Sequence, residues 1–202
     1  PVSGEPYFGD VGWNAWEEFG RGRGKNFGWP CYEGVNPQPS YQTAFPAQCA
    51  PLIPSVVTAP LLSYPHADIP PAASAPITGD AALGGPFYTA TLYPEVYRGN
   101  WFVMDYVAGW IKRLVFDGAG NLTSTVPFAT GLFNTTTLTG PVDLELGPDG
   151  MLYYVLIGTG QIKRIRYNGP SAVATATPSS GLSPLSVAFS SAGSSDPNNG
   201  PL

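Results

Sequence analysis

Two stretches of the chain carry the same succession of apolar and polar positions. Residues 100–118 run through Trp101-Phe102-Val103-Met104, turn at Gly109, and resume as Trp110-Ile111-Lys112-Arg113-Leu114-Val115-Phe116. Residues 150–169 repeat this with one inserted residue, Thr159. Gly109 aligns with Gly160, Ile111-Lys112-Arg113 with Ile162-Lys163-Arg164, Phe116 with Tyr167 and Gly118 with Gly169. Runs rich in Trp, Phe, Tyr, Val and Ile that are cut repeatedly by glycine predict strands and argue against a long helix. A repeat of roughly 50 residues, each unit holding paired apolar runs, has the period of a β-propeller blade. Two hairpins of one β-sandwich are the simpler alternative.

Extending the pattern gives four runs at 84–89, 101–107, 110–117 and 122–130, a complete blade, with turns at Tyr93-Pro94 and Asp117-Gly118-Ala119-Gly120-Asn121. Alternation within these runs is imperfect, as expected where a sheet is covered on both faces. Three further runs at 142–146, 151–157 and 161–167 predict a blade one strand short. Residues 1–30 hold short apolar pieces broken by glycine, expected to be late strands of an earlier blade. Residues 31–80 show no sustained period, and a stretch this long is read as an ordered lid or rim carrying Tyr32, Tyr41, Phe45 and Tyr64. At Gly169 the composition shifts to Ser, Ala, Pro and Gly, with Asp196 the one charge from there on. That composition suits a linker, yet 172–177 and 185–190 read as strands about a turn and suit the start of a second β domain. The expected division is therefore 1–168 and 169–202, in an all-β chain.

Composition narrows the function. Charged residues are only 11% of the 202, while Gly (25) and Pro (23) are abundant, which fits a turn-dense β fold. The net charge of −5 and the scattered basic residues disfavour a nucleic-acid partner, which requires a basic face to neutralise phosphates. No apolar run approaches the roughly 18–20 residues of a transmembrane helix. Cys31 and Cys49 flank a Pro- and Gly-rich loop. A disulfide and a pair of free buried thiols are the two readings; low charge and the loop context favour the bridge and an oxidising, extracytoplasmic compartment. With His66 the single histidine, no Cys/His zinc pattern exists. His66 lies in Ser63-Tyr64-Pro65-His66 and matches no catalytic motif.

Asp10-Val11-Gly12, Trp16-Glu17-Glu18, Asn26-Phe27-Gly28-Trp29-Pro30 and Glu33-Gly34 occur in that order. They are followed by Gly84-Gly85-Pro86-Phe87-Tyr88, Tyr97-Arg98-Gly99, Asp105-Tyr106, Gly109-Trp110-Ile111, Gly140-Pro141-Val142-Asp143-Leu144 and Pro148-Asp149-Gly150. Over about residues 5–168 this set resembles the glucose/sorbosone dehydrogenase family of soluble, pyrroloquinoline-quinone (PQQ)-dependent aldose dehydrogenases. The resemblance implies a six-bladed β-propeller of which this chain carries the C-terminal blades. The tail, with Pro178, Gly181, Pro184-Leu185, Val187, Phe189 and Ser194-Ser195-Asp196-Pro197, resembles the first strands of an immunoglobulin-like PKD sandwich of secreted bacterial proteins.

The family resemblance implies oxidation of a sugar hydroxyl with hydride transfer to the quinone, aided by calcium, and a sugar or cell-surface polysaccharide as partner. The family's catalytic histidine belongs to an earlier blade, so the chain alone is expected to be inactive and, with open strand edges, prone to aggregate. The cofactor-contacting lysine of the family would fall in the turn Tyr106-Val107-Ala108-Gly109, and two arginines just before the strand that opens at Gly140; neither place holds a cation. That absence motivates the alternative of a non-catalytic propeller that binds carbohydrate or protein. Glu17 falls where the family has an acidic calcium ligand; a solvated Glu17-Glu18 pair, or a salt bridge to Arg21 or Arg23, is the competing reading. Trp13, Trp29, Trp101 and Trp110 suit either inter-blade packing or stacking on sugar faces. Lys112, Arg113, Lys163 and Arg164 are expected to serve the blade itself.

Overall fold

The structure is a computed structural model that describes residues 4–66, 68 and 76–196. Pro197 of the tail motif lies outside them. The chain divides into two compact units, Pro1–Ile165 and Arg166–Leu202.

The first unit is built of antiparallel sheets that follow the predicted runs. β1 (Tyr7–Asp10) pairs with β2 (Trp16–Arg21), and β2 pairs with β5 (Leu62–Pro65). Between β2 and β5 the chain makes its excursion: a short hairpin of β3 (Tyr32–Glu33) and β4 (Asn36–Pro37), then two short helices, α1 (Pro39–Ala44) and α2 (Pro46–Cys49). The four-stranded meander β6 (Ala82–Phe87), β7 (Trp101–Asp105), β8 (Trp110–Phe116) and β9 (Leu122–Ala129) forms the complete blade. β10 (Gly140–Leu146), β11 (Leu152–Ile157) and β12 (Gln161–Ile165) form the three-stranded one.

The central blade owes its position to β7, all five residues of which are buried. Strand side chains alternate between faces. Trp101 and Val103 therefore join Phe19, Tyr64, Ala82, Trp110 and Leu114 in a core against the first sheet. Phe102 and Met104 join Tyr88, Tyr93, Ile111, Leu144 and Leu152 in a core against the third. Burial on both faces explains the near-continuous apolar run. The sheets meet along β6, which lies against both β1 and β10. A Cβ on Gly9 of β1 would stand 2.6 Å from the Gly84 backbone nitrogen, so only glycine admits this approach.

The irregular stretch is not all rim. Its last residues complete the first sheet, and Tyr64, grouped by sequence with the lid aromatics, is 1% exposed in the core. The apolar, uncharged character of Leu61-Leu62 and Tyr64 resembles loop composition here because proline interrupts the alternation on either side. The remaining excursion is ordered by a Cys31–Cys49 disulfide, around which Tyr41, Leu52 and Val57 pack. β12 is exposed along nearly its whole length.

The second unit contains a two-stranded ribbon of β13 (Thr175–Thr177) and β14 (Ala188–Ser190), with a further bridge between Ser171 and Ser195. Leu182 and Phe189 are exposed.

Candidate functional site

Between the first two blades lies a group of buried polar side chains. Glu17 and Tyr64 are cross-strand partners on β2 and β5 and therefore share a face, directed at the second blade. Glu17 is fully buried. Its Oε2 accepts from the Ala82 backbone N–H at 2.6 Å, and its Oε1 lies 2.8 Å from His66 Nε2. Asp105, at the end of β7, is also fully buried. It accepts from the Tyr64 hydroxyl at 2.9 Å, from the Ala81 N–H at 3.0 Å and from the Ala108 N–H at 2.8 Å. Ala81 and Ala82 thus deliver adjacent backbone donors to the two acids at the point where the chain enters β6.

Burial governs the chemistry of these acids. Loss of solvent pushes Glu17 up to about 7, even though the Ala82 N–H and His66 favour the anion. The Asp105 carboxyl is likewise raised by burial, against the donors at Ala108, Ala81, Tyr64 and Asp80. Burial and then the charge of Asp105 push the Tyr64 hydroxyl far above its ordinary range, so Tyr64 stays protonated and donates to Asp105.

A second acidic group fastens the excursion. Burial alone would raise Glu33. Its Oε1, however, accepts from Asn14, Ala15 and Trp16 backbone N–H groups at 3.0, 2.8 and 2.9 Å, and these outweigh burial and leave the acid stronger than usual. Glu33 Oε2 is buried without a hydrogen-bond partner. Glu18 accepts from the Gly34 N–H and is pushed up to about 7 by burial, reinforced by the charges of Asp10, Glu17 and Glu33. The Trp16-Glu17-Glu18 and Glu33-Gly34 motifs therefore bind each other: they are joints of the framework.

The structure decides between the alternatives that the sequence left open. Glu17 is neither solvated nor paired with arginine: Arg21 donates to the Gly120 carbonyl and Arg23 to the Gly4 carbonyl. His66 is mostly buried between Glu17 and Asp80, with Nδ1 3.6 Å from Asp80 Oδ1. Trp101 and Trp110 are inter-blade core residues whose indole N–H groups donate to Gly85 and Thr78 carbonyls. Trp13 and Trp29 are half exposed and converge on Tyr41, with ring centroids 5.0 and 5.8 Å from it. Lys112 lies over the Trp110 ring, and Arg113 donates to Val96 and Asn100 and covers Tyr97. Both therefore serve the blade.

The turn after β7 and the start of β10 do not fit a cofactor with three carboxylates. The Tyr106 ring lies against Gly140, where an added Cβ would stand 2.6 Å from it. Phe133 packs on Tyr106 at 5.2 Å, and the Tyr106 hydroxyl donates to the Leu138 carbonyl at 2.7 Å. Aromatic rings and a carbonyl occupy the place where charge-assisted bonds to carboxylates, each worth roughly 1.5–3 kcal/mol, would be needed. Of the two Glu17 oxygens, one accepts from the Ala82 N–H and the other faces His66.

The sheets and their packing define blades of an all-β propeller-type fold. No known family model and no curated protein matches the sequence. Among solved structures, one glucose dehydrogenase is similar over 83% of this chain and 42% of its own, with 19% identity and a TM-score of 0.56. A second is similar over 77% of this chain and 39% of its own, with 20% identity and a TM-score of 0.53. The chain spans about two fifths of their length, and the shared feature is the fold.

Proposed function

We propose that this chain is the closing part of an extracytoplasmic, sugar-recognising propeller related to the quinone-dependent sugar dehydrogenases. In that reading residues 1–168 supply blades, and 169–202 begin a PKD-like module. Oxidation of a sugar hydroxyl would be the work of the whole propeller, with the proton-accepting histidine on an earlier blade. The observation that carries the reading is the joint at Glu17, Asp105 and Ala81-Ala82. There the motif residues fasten one blade to the next, in a fold shared with glucose dehydrogenases. The Cys31–Cys49 bridge supports an oxidising compartment.

A second reading, a propeller that binds carbohydrate without oxidising it, is favoured by the aromatic filling around Tyr106 and Gly140 and by the engagement of Lys112 and Arg113. Calorimetric titration of the full-length, calcium-loaded protein with PQQ separates the two. Saturable binding followed by sugar-dependent dye reduction supports the dehydrogenase. Absence of binding, together with retention on a polysaccharide affinity gel, supports the binding propeller. Absence of both overturns the sugar-recognition reading.

A further inference from the structure

We propose that His66, Asp68 and Asp80 form a binding site for a first-row divalent cation of the zinc class, with buried Glu17 as the positioning carboxylate behind the histidine. The three residues each bring a ligand atom to within 4.8 Å of the others. His66 and Asp68 follow β5 and Asp80 precedes β6, so a bound ion would tie the segment leaving one blade to the entry of the next.

The imidazole is oriented for this task. Its Nε2 faces Glu17 Oε1 at 2.8 Å, and Glu17 is itself anchored by the Ala82 N–H on its other oxygen. When Glu17 is ionised it can only accept, which places the hydrogen on Nε2 and leaves the lone pair on Nδ1 for an ion. Metal-bound histidines are held in just this way, with the second ring nitrogen donating to a carboxylate that fixes tautomer and ring plane. Nδ1 is directed at Asp80 Oδ1, 3.6 Å away. That gap is too long for a hydrogen bond. It is close to the ~3.4 Å that separates two ligands of one tetrahedral ion with bonds of about 2.0–2.1 Å.

Burial grades across the site. Glu17 is inaccessible, His66 and Asp80 are partly exposed, and Asp68 is exposed, which gives an ion a route from solvent. One imidazole and two carboxylates suit zinc or a neighbouring first-row ion better than calcium, which takes six to eight oxygens. Three protein ligands leave a fourth position for water.

The test is calorimetric titration of the chelator-stripped intact chain with Zn²⁺, and with Ca²⁺ as comparison. One saturable Zn²⁺ site per chain is expected, with Ca²⁺ at least tenfold weaker. Asp68→Asn and Asp80→Asn, near-isosteric changes outside the apolar core, should each weaken Zn²⁺ at least tenfold while the circular dichroism spectrum stays that of the parent. Glu17→Gln should weaken it by about 10–100-fold without changing the stoichiometry. No saturable binding, Ca²⁺ binding as tight as Zn²⁺, or Zn²⁺ affinity unchanged in both aspartate variants would each overturn the assignment. None of these outcomes bears on sugar recognition.

Discussion

Tyr64 donates its hydroxyl hydrogen to Asp105 across 2.9 Å, and the bond links the last strand of one blade to the centre of the next. Both side chains are almost completely inaccessible to water. A buried carboxylate retains its charge only through such donors, so the pair is a joint whose two halves are useful only together.

Removing the donor should therefore cost more than an average hydrogen bond. Tyr64→Phe keeps the ring in its core position and leaves Asp105 with backbone donors only, from Asp80, Ala81 and Ala108. A loss of about 1–3 kcal/mol is expected, the penalty for an under-satisfied buried acceptor. Urea unfolding at neutral pH measures it, and an unchanged midpoint would contradict the assignment of the bond as structural.

The excursion should depend on its disulfide. Cys31 and Cys49 close a loop with a sequence separation of 18, for which loop-closure entropy gives about 3 kcal/mol. Replacing both cysteines by alanine should loosen the excursion and speed limited proteolysis between Cys31 and Cys49. Equal protease resistance in the parent and the double variant would show that packing alone holds the loop.

Stability should fall as pH rises toward neutrality. Burial raises Glu18 from its ordinary 4.5 to about 7, so the folded chain holds this proton more tightly than the unfolded one. The contribution is complete below about 4.5 and is lost as pH climbs through 7. Glu18→Gln keeps an oxygen for the Gly34 N–H and removes the titration. It should raise the melting temperature at pH 8 and flatten its decline between pH 5 and 7.5; parallel curves for parent and variant would exclude Glu18 as the source.

The contact between β1 and β6 should tolerate no side chain at Gly9. An added methyl would meet the Gly84 nitrogen and, at 2.8 Å, the Ala82 carbonyl, both of them backbone atoms that cannot rotate away. Gly9→Ala is expected to cost at least the roughly 1–3 kcal/mol typical of overpacking. Gly118→Ala, where nothing lies within 4 Å, should be close to neutral. A smaller loss at Gly9 than at Gly118 would refute the close approach.

By itself the sequence determined the strands of the second and third blades. Their apolar runs are long, aromatic and punctuated by glycine turns, and the repeat of Trp110–Phe116 in Gln161–Tyr167 fixes the period. It also disclosed the break in composition near Gly169. These features are local, so they can be read from neighbours along the chain. The tertiary structure alone decided that Leu62–Pro65 returns to complete the first sheet and that Tyr64 belongs to the core. It likewise decided that Cys31 and Cys49 are bridged, and that Glu17 faces His66 and Ala82 rather than solvent or arginine. Glu17 and Ala82 are 65 residues apart, and Tyr64 and Asp105 are 41 apart. A carboxylate beside a second glutamate looks like a solvated pair in one dimension. Only the packing of one sheet on another removes its water, supplies its donors and gives it a function.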